Sequence, residues 1–201
     1  MPQNWLNDFI LTFIPLLIVI DALGNTPVVV SMSEGLSERD RRKLVNTAVL
    51  TGGIVGFVFL FFGQFILKLM NISVGAFAIA GGIILLVLSV KFMTTGRTVE
   101  VIREAMVAVA PIGTPLTVGP ATITTLLLLA TQYPVPVVAV SFTLNLVIVW
   151  VVFLTGNQII TVLGQGGLRA ISRVFSLLLA AIAVNMIFRG LTFVGILNLG
   201  P

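Results

Sequence analysis

The chain has 201 residues, of which 58% are hydrophobic and 9% charged, and its formal net charge is +4. Its mean hydropathy of +1.17 excludes a soluble domain, because too few polar residues remain to build a surface that faces water. Cysteine and histidine are both absent, which excludes thiol chemistry, Cys/His zinc sites and Ser–His catalysis. The basic residues lie in the polar connections, so they indicate membrane topology and no nucleic-acid-binding patch.

Apolar runs separated by polar residues predict a single all-α membrane domain, residues 1–201, with six transmembrane helices. A helix needs about 20 apolar residues to cross a bilayer, so the chain has room for six or seven. The predicted spans are residues 9–31, 44–70, 72–94, 105–130, 134–162 and 170–190.

The distribution of basic residues predicts the orientation of these spans. Of the 11 Lys and Arg residues, all but Lys68 and Arg189 lie in or beside the connections after spans one, three and five. The positive-inside rule therefore places loops 33–43, 97–104 and 163–169 in the cytoplasm and both termini outside. In the first of these loops, Ser37 followed by Asp40 predicts a helix N-cap that leads straight into the second span.

The two halves of the chain resemble each other at an offset of 93 to 95 residues. The aligned glycines are Gly24 with Gly119, Gly63 with Gly156 and Gly96 with Gly190. Because each half contains three spans, the two copies must face opposite ways across the membrane. We therefore predict two inverted-topology three-helix repeats, about residues 5–96 and 105–201, as in many secondary transporters.

The first span contains an acid, an amide, a hydroxyl and two helix breakers: Asp21, Asn25, Thr26, Gly24 and Pro27. An intramembrane carboxylate costs a few kcal/mol, so we expect Asp21 to face the protein interior or a wet cavity. Gly24 and Pro27 predict a broken helix whose second half starts after Gly24 and Asn25. The alternative is an ordinary kinked helix in which Asp21 is a structural hydrogen-bond partner.

The fourth span repeats this pattern, with three prolines, two glycines and three threonines between Pro111 and Thr122. We expect this helix to be broken too, with a half-helix that starts after Gly119 and Pro120. Irregular backbone at membrane depth is tolerated only inside protein or beside a cavity, so the two breaks should meet at the centre. Their unpaired N–H groups and positive dipole ends would suit a small anion or a carboxylate.

The candidate substrate-binding residues come from these two spans, with one amide from the fifth span for which interhelical hydrogen bonding is the more common role. They are Asp21, Gly24, Asn25, Thr26, Pro27, Thr117, Gly119, Pro120, Thr122 and Asn145.

With these residues in view, the chain resembles the MarC family of bacterial and archaeal membrane proteins, which includes SnatA-like transporters of small neutral amino acids. The resemblance rests on three motifs: Asp21-Ala22-Leu23-Gly24-Asn25-Thr26-Pro27, Glu38-Arg39-Asp40-Arg41-Arg42 and Pro115-Leu116-x-x-Gly119-Pro120-Ala121-x-Ile123-Thr124. It implies transport of glycine, alanine and similar amino acids across the inner membrane, coupled to an ion or a proton. Ala121 stands where the family often has glycine, a change that could tighten the pocket.

The expected function is secondary active transport by alternating access, in the inner membrane of a bacterium or archaeon. We expect no cofactor beyond a coupling proton or Na⁺, the lipid bilayer and a small neutral amino acid as partners, and a homo-oligomer as an open alternative. A channel, an exporter of another small solute and a non-catalytic membrane subunit also remain open. An intramembrane protease is not expected, because it would need histidine or a second acid beside Asp21.

Overall fold

A computed structural model describes residues 4–95 and 118–197 of the chain, and these residues are entirely helical apart from short turns. The helices are α1 (Trp5–Ile20), α2 (Ala22–Met32), α3 (Glu38–Leu69), α4 (Val74–Thr95), α5 (Pro120–Gln132), α6 (Val135–Leu154) and α7 (Gly156–Phe193). The prediction of an all-α protein is therefore confirmed for the described residues.

Five helical stretches in the described ranges are long and apolar enough to cross a membrane. They are Trp5–Met32, Glu38–Leu69, Val74–Thr94, Val135–Leu154 and Gly166–Phe193, and Ala121–Gln132 is a shorter apolar helix. The shorter helix is the second half of the predicted fourth span. The first half of that span and the predicted loop 97–104 lie outside the described residues.

The polar connection before α3 ends in the predicted capping motif. Ser37 is the N-cap residue, and its Oγ accepts a hydrogen bond of 3.2 Å from the backbone N–H of Asp40. The same hydroxyl donates to Asp40 Oδ2 at 2.6 Å, which fixes both side chains at the start of the helix. The predicted cap is therefore confirmed, and the basic residues from Arg39 to Lys43 lie within the first turns of α3.

The predicted fifth span, 134–162, is wrong at its end, because α6 stops at Leu154 and Gly156 starts the next helix. Arg41 of α3 donates a hydrogen bond to the carbonyl of Leu154, one of the last carbonyls of α6, which lack partners within the helix. The guanidinium also lies 3.3 Å from Glu38 Oε1. Arg41, near the start of α3, thus supplies a hydrogen-bond donor for the end of α6. The sequence had predicted that this helix would end eight residues later, at residue 162.

The predicted loop 163–169 is also wrong, because two helical segments of α7 meet at Gly164 with no longer loop between them. Gly164 has a φ of 64° and a ψ of 166°, whereas its neighbours are helical. Only glycine adopts such a conformation without steric cost, so it can redirect the chain within one residue. The change of direction at Gly164 thus takes the place of the predicted loop.

Helices α4 and α7 pack closely through glycines. A Cβ added at Gly75 would lie 2.9 Å from the carbonyl oxygen of Gly190, and one added at Gly82 would lie 2.8 Å from that of Ala183. Gly75 thus contacts Gly190, and Gly82, further along α4, contacts Ala183, earlier on α7. The two helices are therefore antiparallel. Small residues allow this backbone approach, as they do at many helix interfaces in membranes.

The main buried cluster joins α1, α2, α3, α5 and α6 around the junction of α1 and α2 and the start of α5. Phe142 and Phe153 of α6 lie in it, together with Ile20, Ala22 and Val118. Large apolar side chains cover the outside of the bundle, as expected for helices that face lipid. The junction of α1 and α2 and the start of α5 thus lie in the buried core of the bundle.

Candidate functional site

The first span is interrupted at one residue. α1 ends at Ile20, α2 begins at Ala22, and Asp21 between them has a φ of 43° and a ψ of 63°, in the left-handed region. Residues with a Cβ avoid this region, although aspartate and asparagine tolerate it better than most. The predicted break is confirmed, but its predicted position after Gly24 and Asn25 is wrong.

Two side chains replace the backbone hydrogen bonds that the break removes. The N–H of Gly24 donates to Asp21 Oδ1 at 3.0 Å, and Asn25 Nδ2 donates to the carbonyl of Ile20, also at 3.0 Å. Asp21 is 2% exposed and Asn25 is 9% exposed. Leaving such groups unpaired would cost about 1–3 kcal/mol each, so the two side chains stabilise the interruption within the buried core.

Pro27 was predicted to break the helix, but it lies within α2. Its fixed φ is compatible with a helix, so the cost is the missing N–H and a crowded preceding turn. The adjacent Thr26 is fully buried and donates from Oγ1 to the carbonyl of Ala22 at 2.9 Å. The chain is therefore broken where a carboxylate can cap the new helix, and it remains helical at the proline.

Gly24 is required for close approach and not for backbone freedom, which corrects its predicted role. A Cβ at Gly24 would overlap the Asp21 carboxylate and would lie 2.9 Å from Ser172 Oγ. Ser172 lies on α7, so this helix reaches the break directly. Sequence reasoning missed Ser172, because a single serine on a helix carries no signal of its own.

Helix α5 begins where the sequence predicted a half-helix of the fourth span. Gly119 is the N-cap residue of α5 in extended conformation, Pro120 is the first helical residue, and the N–H of Ile123 donates to the carbonyl of Gly119 at 3.1 Å. The N–H groups of Ala121 and Thr122 precede the first helical hydrogen bond, and the N-cap residue Gly119 has no side chain that could cap them. A positive helix end therefore begins beside Thr122, which is 2% exposed.

The junction of α1 and α2 shares one core with the start of α5. Val118 precedes the start of α5 and belongs to the same buried cluster as Ile20 and Ala22, which flank Asp21. α1 and α5 also contact each other directly. The expected meeting of two broken helices stays a prediction, because Thr117 and the prolines at 111 and 115 lie outside the described residues.

Asn145 lies between α6 and α1. Its Nδ2 donates to the carbonyls of Ser141 at 2.9 Å and Phe13 at 3.3 Å. Beside it, Thr12 Oγ1 and Ser141 Oγ are 2.7 Å apart and fully buried, a contact between helices that the sequence did not predict. Asn145 Oδ1 is buried and has no hydrogen-bond partner among the described residues. Asn145 thus connects two helices, and its role in substrate binding stays a prediction.

The titratable residues of the described ranges do not assemble a metal centre. No group of three or more Asp, Glu, His or Cys side chains in residues 4–95 and 118–197 could hold an ion. What the site offers is one buried carboxylate, a buried amide and hydroxyls, and the start of α5.

Comparison with known proteins assigns the family. Residues 6–194 match the MarC family integral membrane protein. A UPF0056 membrane protein of Archaeoglobus fulgidus is 31% identical over 94% of this chain and 94% of its own length. The UPF0056 membrane protein MJ1677 of Methanocaldococcus jannaschii is 29% identical over 92% of this chain and 97% of its own length. The UPF0056 inner membrane protein YhgN of Escherichia coli K12 is 28% identical over 92% of this chain and 97% of its own length.

No solved structure matches the chain significantly. The family match nevertheless covers nearly the whole chain. The chain therefore belongs to the MarC family of integral membrane proteins.

Proposed function

We propose that this protein is a secondary active transporter of small neutral amino acids of the glycine, alanine and serine class. One observation carries the proposal: the buried, interrupted helix at Asp21 lies in the same core as the start of α5. Interrupted helices inside a membrane bundle are expensive, and transporters use them to bind polar substrates near the middle of the bilayer. Transport proceeds by alternating access and is coupled to a proton or Na⁺.

The two interruptions differ in charge, which suits a zwitterion. The N-terminus of α2 already faces the Asp21 carboxylate through the N–H of Gly24. The N-terminus of α5 has no such acid in its sequence and begins with Pro120, Ala121 and Thr122. We assign the carboxylate of the substrate to α5 and its ammonium group, or the coupling cation, to Asp21.

Inverted repeats are part of the proposal, and glycine packing supports them. A Cβ added at Gly63 of α3 would overlap Leu127 of α5. A Cβ added at Gly156, which aligns with Gly63, would lie 3.0 Å from Val30 Cγ2 of α2. α5 and α2 are the second halves of the two interrupted spans, so aligned glycines pack on aligned half-helices of the opposite repeat.

The antiparallel pair α4 and α7 adds support. These helices are the third spans of the two predicted repeats, and they pack closely along their lengths through Gly75, Gly82 and Gly190. Copies related by a two-fold axis in the membrane plane run in opposite directions. In this arrangement loop 33–43 and the kink at Gly164 face the cytoplasm, and both termini face outward.

Ligand-dependent stabilisation of the purified protein tests the proposal. A ligand that binds only the folded state raises the free energy of unfolding, by about 2.7 kcal/mol at 100 times its Kd. Glycine, alanine or serine should raise the melting temperature, whereas glycinamide, which lacks the carboxylate, and phenylalanine should not. Stabilisation by none of the amino acids would reject this substrate class and favour a channel or a carrier of another solute.

A further inference from the structure

A cavity lies between α1, α5 and α7. Its volume is about 190 Å³, which is below the roughly 300–1,000 Å³ of drug-sized sites and suits a small metabolite. The wall is mostly apolar and is formed by Leu11, Pro15, Leu128, Ile182 and Met186. The polar residues that line it are Gln132, Tyr133, Asn185 and Arg189, together with Thr125.

Arg189 is the only charged residue in the described part of the chain that lines this cavity. Its Nε donates to Asn185 Oδ1 at 3.1 Å, one turn earlier on α7. Among residues 4–95 and 118–197, Arg189 forms no ion pair. A guanidinium has five N–H donors in a planar fork that matches a carboxylate, so Arg189 retains donors for an anion.

The cavity extends from Arg189 toward the two interruptions. Pro15 and Thr125 lie on its wall. Pro15 precedes Asp21 by six residues, and Thr125 follows Gly119 by six. Six residues of helix span about 9 Å, so the wall approaches both interruptions. A neighbouring cavity of about 350 Å³ is lined by Gln132, Arg189, Thr192 and Phe193. The two cavities share Gln132 and Arg189, so the second one widens the opening of the first at Arg189.

We propose that Arg189 is an entry site that binds the carboxylate of the amino acid before it moves along this cavity to the helix breaks. The inference rests on the proposed function and adds a second binding position to the same path. One cation at the mouth of an apolar cavity attracts the carboxylate, while the apolar wall offers the ammonium group no competing acid. Asn185 holds the guanidinium in place through Nε.

The test measures the initial rate of radiolabelled alanine uptake into proteoliposomes. Arg189→Gln should raise the KM about tenfold and leave the maximal rate near that of the wild type, because the site acts in capture. Arg189→Lys should raise the KM less than Arg189→Gln does, because lysine keeps the positive charge but lacks the planar guanidinium that can bind a carboxylate with two hydrogen bonds. Lys68→Gln is the matched control, because Lys68 is an exposed cation in the last turn of α3, on the same predicted side of the membrane.

Equal KM values for Arg189→Gln and Lys68→Gln would overturn the inference, since the effect would then be one of general surface charge. A lipid phosphate on Arg189 is the rival occupant. It predicts an unchanged KM in Arg189→Gln, together with stabilisation by phosphatidylglycerol vesicles that this variant loses, and that result would also overturn the inference. Wild-type protein that takes up no amino acid and is stabilised by none would instead reject the proposed function, and the entry site with it.

Discussion

The backbone N–H of Gly24 and the carboxylate of Asp21 are 3.0 Å apart, and this hydrogen bond begins α2 inside the membrane bundle. An acid that interrupts one helix also caps the next, and its carboxyl group faces the positive end of that helix. The carboxyl group is therefore held at a fixed place within the core. Its removal is the sharpest test of what the break does.

Asp21→Asn should separate the charge of the carboxylate from the geometry of the break. Asparagine tolerates the left-handed region and can accept the Gly24 hydrogen bond, so the melting temperature should stay close to that of the wild type. Stabilisation by alanine should be lost, because the negative charge is gone. Asp8→Asn, at the start of α1, is the control. Normal alanine binding by Asp21→Asn would remove Asp21 from the site.

Gly24→Ala should destabilise the protein by about 1–3 kcal/mol, since the new Cβ overlaps the Asp21 carboxylate and crowds Ser172. Gly166→Ala is the matched substitution. Gly166 is also helical, and a Cβ there would contact nothing within 4 Å among the described residues. It should leave the stability unchanged or raise it slightly. Thermal unfolding of both variants in detergent checks the contrast, and equal melting temperatures would contradict the close packing at Gly24.

Arg41→Gln should lower stability by about 1–3 kcal/mol, because the carbonyl of Leu154 loses a charged donor at the end of α6. Arg42→Gln removes the same charge from an exposed position one residue later and should have little effect. Chemical or thermal unfolding distinguishes them. If the two variants unfold together, the Arg41 contact does not stabilise the junction between α6 and α7.

Single cysteines can test the proposed topology, because the chain contains none of its own. Glu34→Cys, in the exposed turn before α3, should resist an impermeant thiol reagent applied to intact cells. Ile196→Cys, which replaces a side chain that is 68% exposed after α7, should be labelled. Labelling of the Glu34→Cys variant, with protection of the Ile196→Cys variant, would invert the orientation.

Hydropathy and local chemistry predicted much of the bundle. Long apolar runs specify membrane helices because lipid tolerates no unpaired backbone. The Ser37 cap and the start of α5 at Gly119 and Pro120 were also predictable, since each depends on neighbours within four residues. At Pro120 the missing N–H costs nothing, because the first helical residue has no partner for it.

Features that depend on distant residues were not predictable from the sequence. α6 ends at Leu154 with a cap from Arg41, which lies 113 residues away in the chain. The helix breaks at Asp21 because the carboxylate can accept a hydrogen bond from the N–H of Gly24. From the sequence alone, Pro27 was the more obvious place for the break. Ser172 and the Thr12–Ser141 contact become visible only once the helices are placed together.

Concentrative uptake of alanine into proteoliposomes tests the central claim most directly. Purified wild-type protein should accumulate alanine above equilibrium under an inward proton or Na⁺ gradient, and Asp21→Asn should not. Accumulation that one gradient drives would also identify the coupling ion. Folded wild-type protein that accumulates no alanine under either gradient, or only lets it equilibrate, would contradict coupled transport at the interrupted helices.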